Sequence, residues 1–441
     1  MTSREAAFRV LLDGAVASRG GYFAPLEGSD RALAELLVSG TTKWVRLIDE
    51  VVAAHSSRNL PSLDPRVLWA LRLGVFQLVF LGIPPHASVS TTVDLLSHRG
   101  EKGFVNGVLR SMGRLRGHVE LPGVDDDPVR YAGLRFSYPD WIARLFIERF
   151  GLENGLKLCE FGNRPPPITL RVNKMKTTPE KLVERLNSQG VMAEPGPVPG
   201  SVTLLKGVRV TSLPGFEEGE FVVQDASAIL VSLVVGARPG EAVWDVCAAP
   251  GGKTTHLAEL MEGTGTLVAT DIDGERADMV REALGRAGHT FARVLVGDAT
   301  GPFPQEGPFA PGFDCILLDA PCSGLGVIRR NPELRWMRRE SDIPSMGHRQ
   351  SKLLSSVKGH LKSGGVLVYS TCTLTKEENE DTWLEFLGEN SDMVPEDPGE
   401  ALDAASRRML ASSPFAGPGY RYILPYLSGS DGFFIARARR A

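Results

Sequence analysis

The chain has 441 residues, of which 42% are hydrophobic and 23% are charged, a composition typical of ordinary soluble globular proteins. Forty-nine basic and fifty-three acidic residues give a net charge of −4, so bulk charge does not indicate nucleic-acid binding, and an anionic partner requires local basic patches. The five cysteines are an odd number spread over a long chain, which excludes a disulfide framework and favours the reducing cytoplasm.

Residues 1–125 are predicted to be helical throughout. The N-terminus leads into an amphipathic pattern that lacks the uninterrupted apolar core of a signal peptide, which supports the cytoplasmic prediction. From Pro65 the apolar residues recur at helical spacing, and Gly82 and Pro84 end that pattern. A stretch rich in Pro, Gly and Asp, residues 119–129, predicts a domain boundary.

Residues 126–223 are predicted to form a small α+β connecting module. A helix is expected over 179–189, and short strands are expected over 168–173, 202–205 and 220–223.

Residues 224–441 alternate between strand and helix, which predicts a parallel, doubly wound sheet. The strands are predicted at 242–246, 266–271, 293–296, 313–319, 365–371 and 432–437. The last strand follows a turn-rich stretch and is expected to enter antiparallel. The longest apolar run, 228–237, is shorter than the roughly 20 residues that span a bilayer, so no membrane partner is expected.

A glycine turn follows the first of these strands. Gly251-Gly252-Lys253-Thr254 resembles the end of a phosphate-binding loop, but Cys247 stands where that loop requires its first glycine, which argues against an NTPase. The turn instead predicts a close approach of backbone amides to a ligand at the start of a helix. A tight turn without a ligand is the simpler alternative.

Two carboxylates end the next two strands. Asp271 lies about twenty positions after the glycine turn, where an acidic residue can accept hydrogen bonds from both ribose hydroxyls. Asp298 ends the following strand, close to where an adenine edge would lie. Together they predict an adenosyl ligand.

Two cysteines, Cys322 and Cys372, follow the strands that end at 319 and 371. A thiolate can attack C6 of a pyrimidine and make C5 nucleophilic, a carboxylic acid such as Asp319 can support N3, and a base or second thiol can remove the C5 proton. Cys159 and Cys315 are interpreted as inert buried residues. No metal site is predicted, because no close Cys or His partner accompanies the pair.

Residues 327–339 contain five arginines and one tryptophan directly after Cys322. Such a segment can bind phosphates and stack a base, and a solvated helix face is the alternative. His256 and His348 show no partner spacing and are interpreted as structural.

At these positions the chain resembles the RNA cytosine-5 methyltransferases that use S-adenosyl-L-methionine. The resemblance rests on four motifs: Cys247-Ala-Ala-Pro-Gly-Gly-Lys253, Asp319-Ala-Pro-Cys322-Ser-Gly, Ser370-Thr-Cys372-Thr and Asp431-Gly-Phe-Phe434. Residues 83–87 and 103–110 are similar to the NusB-like helical RNA-binding domain. This fusion is similar to the bacterial 16S ribosomal RNA cytosine-5 methyltransferases of the Sun/Fmu (RsmB) type.

The resemblance implies an N-terminal NusB-like bundle (1–125), a connecting module (126–223) and a Rossmann-like class I methyltransferase domain (224–441) with a mostly parallel seven-stranded sheet. It implies that Cys372 is the nucleophile and that Cys322 assists product release. Asp319 and Lys253 are expected to support the reacting base. The expected cofactor contacts are Cys247, Ala248, Ala249, Pro250, Gly251, Gly252, Lys253, Asp271, Asp298 and Asp319.

The expected function is methylation of C5 of a cytosine in 16S ribosomal RNA, free or in an assembling small subunit, by a monomeric cytoplasmic enzyme. Three alternatives stay open: a NusB-like RNA-binding regulator with an inactive catalytic half, a methyltransferase that acts on another RNA such as tRNA, and an amino- or hydroxyl-directed methyltransferase on the same fold.

Overall fold

The computed structural model of the protein describes residues 1–16, 20–115, 121–301, 307–309 and 312–441, with the backbone alone for 113–115 and 308. Residues 119 and 120 of the predicted domain boundary lie outside these ranges. None of the helices in the described part of the chain is long and apolar enough to cross a membrane.

The helices, in chain order, are α1 (Ser3–Leu12), α2 (Gly20–Phe23), α3 (Gly28–Lys43), α4 (Val45–His55), α5 (Pro65–Val75), α6 (Pro85–Val93), α7 (Arg99–Leu115), α8 (Pro128–Phe136), α9 (Asp140–Phe150), α10 (Leu152–Phe161), α11 (Pro179–Ser188), α12 (Ala226–Val235), α13 (Gly252–Leu260), α14 (Gly274–Ala287), α15 (Leu334–Met337), α16 (Asp342–Lys358), α17 (Glu380–Glu389), α18 (Ala404–Leu410) and α19 (Pro425–Ser428). The strands are β1 (Ile168–Val172), β2 (Ala193–Pro195), β3 (Ser201–Leu204), β4 (Phe221–Val223), β5 (Ala242–Asp245), β6 (Thr266–Asp271), β7 (Arg293–Val296), β8 (Phe313–Asp319), β9 (Leu361–Thr371), β10 (Met393–Pro395), β11 (Ala416–Gly417), β12 (Tyr420–Ile423) and β13 (Phe433–Arg440).

The chain forms two compact units. The first contains Met1–Arg164 together with Ile328–Arg338, and the second contains Pro165–Val327 together with Arg339–Ala441. A short segment that follows the Cys322 loop in sequence therefore belongs to the N-terminal unit. The proposed division into three domains stays a prediction.

The N-terminal unit is helical, as the sequence predicts. α1 begins with a capping box, in which the Thr2 hydroxyl accepts from the Glu5 amide and the Glu5 carboxylate accepts from the Thr2 amide at 2.7 Å. The helix predicted from Pro65 is observed as α5 and continues into a π-helical turn. α3 packs so closely that a Cβ at Gly40 would lie 1.9 Å from the Phe76 ring, so only glycine fits there.

The second unit begins with a small antiparallel sheet in the order β2-β3-β1-β4. Its apolar core is formed by one face of the sheet and by α11, and consists of Leu170, Val172, Leu182, Leu186, Ala193, Val202, Leu204, Leu213 and Phe221. The helix predicted over 179–189 and the strands predicted over 168–173, 202–205 and 220–223 are observed, together with a further strand, β2.

The larger sheet has the order β11-β12-β13-β9-β8-β5-β6-β7, and β10 pairs with β13. β5 to β9 are parallel, and β13 enters antiparallel to β9, as predicted. The described sheet has nine strands, so the expected number of seven was wrong. β10 and β11 have three and two residues, too few to show the alternating pattern by which strands are recognised. Because β5, β6, β8 and β9 are parallel, their carboxyl ends meet at one edge of the sheet.

Candidate active site

The two loops that follow β8 and β9 carry the cysteine pair. The strands are neighbours, and Asp319 lies opposite Ser370 in their register. The loops therefore leave the sheet side by side, and the sulfur atoms of Cys322 and Cys372 are 3.4 Å apart. Both cysteines are partly exposed. The structure thus brings together the two thiols that the sequence singles out.

Asp319 is held by two donors at the same edge. Its Oδ2 accepts from the Lys253 ammonium at 2.6 Å, and its Oδ1 accepts from the Ser370 hydroxyl at 2.6 Å. The Lys253 and Asp319 side chains are only 14% and 26% exposed. A charged hydrogen bond with so little solvent contact fixes both groups in one geometry.

Electrostatics set the protonation of two groups in this cluster. Burial acts to lower the pKa of Lys253, but the charge and hydrogen bond of Asp319 outweigh it, so the pKa is raised and the ammonium is retained. The pKa of Cys322 is raised well above its usual value by the hydrogen bond with Cys372, by burial and by nearby negative charge. Cys322 is therefore a thiol at neutral pH.

The glycine turn connects β5 to α13. Gly251 has φ +100°, a conformation that favours glycine, and a Cβ there would lie in tight contact, 3.1 Å from the Val280 Cα. Cys247, at the start of the turn, has a raised pKa because of burial and of nearby carboxylates. It contributes a neutral thiol.

A cavity of about 350 Å³ lies at the carboxyl ends of β5, β6, β7 and β8. Its lining residues come from these strand ends and from α14 and α16: Val246, Cys247, Asp271, Ile272, Arg276, Gly297, Asp298, Ala299, Pro321, Cys322, Arg349 and Leu353. The cavity therefore contains three predicted cofactor residues and reaches one of the two thiols.

The lining fits the adenosyl group that the sequence predicts. The Asp271 carboxylate accepts three long hydrogen bonds, from Ala249 N at 3.3 Å, Asp273 N at 3.2 Å and Arg276 Nε at 3.3 Å, and can accept further bonds from ribose hydroxyls. Ile272 is 51% exposed and offers an apolar surface to a base. A carboxylate with remaining acceptor capacity and an exposed apolar side chain suit the ribose and the base of an adenosine.

The other predicted cofactor residues have different surroundings. Asp298 is exposed, and its pKa is lowered by hydrogen bonds from the backbone and hydroxyl of Thr300, so it is an anion at the cavity wall. Residues 248–253 and Asp319 are not among the cavity-lining residues of the described chain. The turn instead positions Asp271 through the Ala249 amide.

Sequence reasoning missed two residues of this region. Asp245 is 1% exposed at the end of β5, its Oδ2 accepts from the Thr254 hydroxyl at 2.7 Å, and burial raises its pKa to about 7. Arg349 lines the cavity from α16 and adds a positive charge that no sequence motif predicts. The signal for Asp245 is its place at the end of a buried strand, and Arg349 has no comparable signal.

The connecting module contacts the glycine turn through Arg171 of β1. This fully buried side chain forms an ion pair with Glu259 of α13. It also donates to Thr255 Oγ1 at 2.7 Å, to Gln224 Oε1 at 2.7 Å and to Gly252 O at 3.4 Å. The start of α13 is therefore fixed by the small sheet as well as by the large one.

The arginine-rich segment after Cys322 is partly buried within the N-terminal unit. Arg335 is fully buried over the Tyr138 ring, at 3.8 Å from its centroid, and donates to Gly162 O at 2.9 Å and Ser137 O at 3.2 Å. Trp336 Nε1 donates to Thr42 O at 2.6 Å. For Arg335 both interpretations from the sequence, a nucleic-acid surface and a solvated helix face, were wrong.

The residues predicted to be structural are buried, with one exception. Cys159 and Cys315 are buried, and burial raises the pKa of each to about 12. His256 is buried, and burial, with the nearby Arg171 charge, holds its pKa well below the usual value. His348, by contrast, is exposed on α16.

Three family models match different parts of the chain. Residues 232–439 match the family described as "16S rRNA methyltransferase RsmB/F". Residues 1–114 match the NusB family, and residues 138–211 match a ferredoxin-like domain of RsmF/B-like methyltransferases.

Similar proteins align along nearly the whole chain. A "Probable ribosomal RNA small subunit methyltransferase B" of Bacillus subtilis is 35% identical over 94% of this chain and 92% of its own length. A "Ribosomal RNA small subunit methyltransferase B" of Escherichia coli O1:K1 is 36% identical over 92% of this chain and 90% of its own. The solved structure "PH0851" superposes with TM-score 0.80 at 27% identity, covering 99% of both chains. A methyltransferase homologue of Pyrococcus horikoshii superposes with TM-score 0.58 at 30% identity, covering 71% of this chain and 99% of its own.

Proposed function

The chain belongs to the RsmB/F family of 16S ribosomal RNA methyltransferases, whose cofactor is S-adenosyl-L-methionine, and from this premise we propose that it methylates C5 of one cytosine through a covalent bond between Cys372 and C6. The observation that carries the proposal is the 3.4 Å distance between two sulfurs, one of which lines the predicted cofactor cavity. S-adenosyl-L-methionine, when bound, supplies an electrophilic methyl group.

Cys372 is the proposed nucleophile. Its sulfur lies beside the Cys322 thiol, and two thiolates 3.4 Å apart would repel each other strongly. Because the pKa of Cys322 is raised so far, Cys322 stays a neutral thiol beside the nucleophile. The Cys322 thiol then donates a hydrogen bond to the Cys372 thiolate, which attacks C6.

Asp319 and Lys253 are proposed to support the pyrimidine as it accepts the electron pair. Attack at C6 places negative charge on the N3 and O2 side of the ring, which needs a proton or a strong hydrogen bond. The Lys253 ammonium is retained by its ion pair, and Asp319 is fixed in place by Lys253 and Ser370. The pair thus holds a proton at a fixed position beside the thiols.

Cys322 is the proposed base for the last step. Once C5 carries the methyl group, its proton must leave so that the Cys372–C6 bond can break. Cys322 must first release its own proton to water. In the covalent adduct Cys372 is an uncharged thioether, so the Cys372 hydrogen bond and charge that raise the pKa of Cys322 in the free enzyme no longer hold that proton, and the Cys322 thiolate can accept the proton from C5. Proton removal at C5 re-forms the C5–C6 double bond and returns the electron pair of the S–C6 bond to Cys372.

We also propose the residues that hold the cofactor. Asp271 accepts from the ribose, Asp298 lies at the adenine side, and Cys247 lines the same cavity at the start of the turn whose Ala249 amide donates to Asp271. The chain is proposed to act as a monomer, without a membrane partner, on 16S ribosomal RNA or an assembling small subunit.

The test is methyl transfer from labelled S-adenosyl-L-methionine to 16S ribosomal RNA by three variants. Cys372→Ala should abolish turnover, and Cys322→Ala should trap a covalent RNA adduct that is visible as a gel shift. Cys315→Ala is the matched control, because this buried cysteine of β8 contacts Val235 O and Glu241 rather than the thiol pair, and it should keep activity.

Full activity of Cys372→Ala would exclude the covalent route and favour an amino- or hydroxyl-directed reaction. No methyl transfer by the wild-type protein on any RNA would favour an RNA-binding regulator. Transfer to tRNA but not to 16S ribosomal RNA would keep the proposed reaction and revise only its substrate. Bisulfite sequencing of the product identifies the methylated cytosine.

A further inference from the structure

A buried carboxylate that belongs to none of the sequence motifs lies beneath the loops that carry Cys322 and Cys372. Glu378, in the turn before α17, is fully buried. Its oxygens accept hydrogen bonds from Ser323 N at 2.8 Å, from the Ser323 hydroxyl, from Thr375 Oγ1 at 2.8 Å and from Gln350 Nε2 at 3.2 Å. All four donors are neutral groups.

These donors flank the cysteines. Ser323 follows Cys322, and Gln350 Nε2 also donates to the carbonyl of Pro321 at 2.8 Å. Both peptide neighbours of Cys322 are therefore tied to one network, Ser323 directly to Glu378 and Pro321 through Gln350.

The same network reaches the loop of Cys372. The Ser323 hydroxyl lies 2.6 Å from the Thr373 hydroxyl, and Thr375 belongs to the same loop. The next residue, Asn379, gives the Cys372 loop a further support, because its amide accepts from Thr371 Oγ1 and donates to Thr373 O at 3.1 Å. Cys372 thus has a second support, and Cys322 depends more on Glu378.

A fully buried carboxylate is costly unless its oxygens are hydrogen-bonded. Because neutral donors satisfy Glu378, any movement of the Ser323 loop would leave part of a buried charge without partners. That cost resists displacement of the loop and so of the Cys322 sulfur.

This inference rests on the proposed function. We propose that Glu378 is a positioning residue that holds Cys322 at the distance from Cys372 needed to remove the C5 proton. Its role is then confined to product release, because the nucleophile has its own support in Asn379. Glu378 also contributes to the raised pKa of Cys322, after the Cys372 hydrogen bond, burial and the Cys372 charge.

The experiment separates the first methyl transfer from later turnovers in Glu378→Ala and Glu378→Gln. In the alanine variant, later turnovers should slow roughly 10- to 100-fold, and the first transfer should change less than about threefold. A covalent RNA adduct should accumulate, as in Cys322→Ala. The glutamine variant keeps an acceptor oxygen and the shape of the side chain, so it should retain much of the release rate.

Glu377→Gln is the matched control. It removes a charge one residue away, and among the described residues no hydrogen bond joins the Glu377 side chain to either cysteine loop. Its turnover should equal that of the wild type. If Glu378→Ala does not fold, Ser323→Ala decides instead, because it removes one hydroxyl from the network and should still raise the adduct fraction.

Equal slowing of both phases without an adduct, or no change in either phase, would overturn the positioning role of Glu378. An unchanged adduct fraction in a folded Ser323→Ala protein would do the same. These results differ from a failure of the proposed function, in which Cys322→Ala itself would form no adduct.

Discussion

Replacing Arg171 by methionine tests the buried ion pair that ties the small sheet to the glycine turn. The Arg171 and Glu259 side chains are each 2% exposed. Breaking a buried pair by removing one partner costs about 3–5 kcal/mol, because the remaining charge stays buried without its counterion. The lost hydrogen bonds to Thr255 and Gln224 would each add about 1 kcal/mol.

The expected loss of roughly 5–7 kcal/mol is a large part of the total stability of a typical domain. Urea unfolding, monitored by the fluorescence of the buried Trp244 and Trp383, should show this loss as a lower midpoint with an unchanged slope. Because Arg171 also donates to Gly252 O, calorimetric affinity for S-adenosylhomocysteine should fall in the same variant.

The double variant Arg171→Met, Glu259→Leu provides the control. It removes both charges and replaces them with apolar side chains of similar length, which is often close to neutral for a buried pair. It should recover more than half of the lost stability. A loss below about 1 kcal/mol in the single variant, or no recovery in the double variant, would refute the assignment of the cost to the unpaired charge.

Three further outcomes are expected. The raised pKa of Asp245 means that the folded state keeps a proton that the unfolded chain has lost. Asp245 should therefore lower stability by up to about 4 kcal/mol as pH rises from about 4 to about 7, and urea midpoints across pH should lack this component in Asp245→Asn. Lys253→Met should lower kcat by about 100-fold with a KM for RNA within about threefold of wild type, because Lys253 acts on Asp319 in the reaction; an unchanged kcat in steady-state assays would contradict this. Arg335→Met should destabilise the N-terminal unit by about 3 kcal/mol in thermal or urea unfolding, and Arg335→Lys should not restore it, because the carbonyls bind a planar fork; full rescue by lysine would disprove the role of the fork.

The thiol pair could be predicted from the sequence because its geometry follows from local patterns. Two apolar runs predict two strands, a parallel sheet brings their ends to one edge, and Cys322 and Cys372 lie just beyond those ends. Asp319 and Lys253 meet for the same reason. Short local patterns predict each strand and the residue that follows it, and the regular geometry of the sheet then predicts which of these residues meet.

Arg335 and Glu378 could not be placed in this way. An arginine in a basic segment normally faces solvent, and Arg335 is buried because backbone carbonyls far away in sequence, those of Ser137 and Gly162, accept from it. Glu378 sits in a run of polar residues that gives no sign of burial, and its donors come from Ser323, Gln350 and Thr375. Such partners become visible only when the fold is known.

The residues that follow β5 donate hydrogen bonds to carboxylates at the ends of three strands. The carboxylates of Asp245 and Asp319 accept from the side chains of Thr254 and Lys253, both in the first turn of α13. A third carboxylate, at the end of β6, accepts from the Ala249 amide.

The motif Cys247–Lys253 is therefore constrained by more than a ligand. Each carboxylate that ends a strand needs a donor, and the turn supplies one to the ends of β5, β6 and β8, while Arg171 fixes its backbone from the small sheet. Groups that share one network do not contribute additively. A change in the turn is expected to disturb the predicted cofactor wall and the Asp319 position together, so cofactor affinity and turnover should fall in parallel when either Lys253 or Thr254 is replaced.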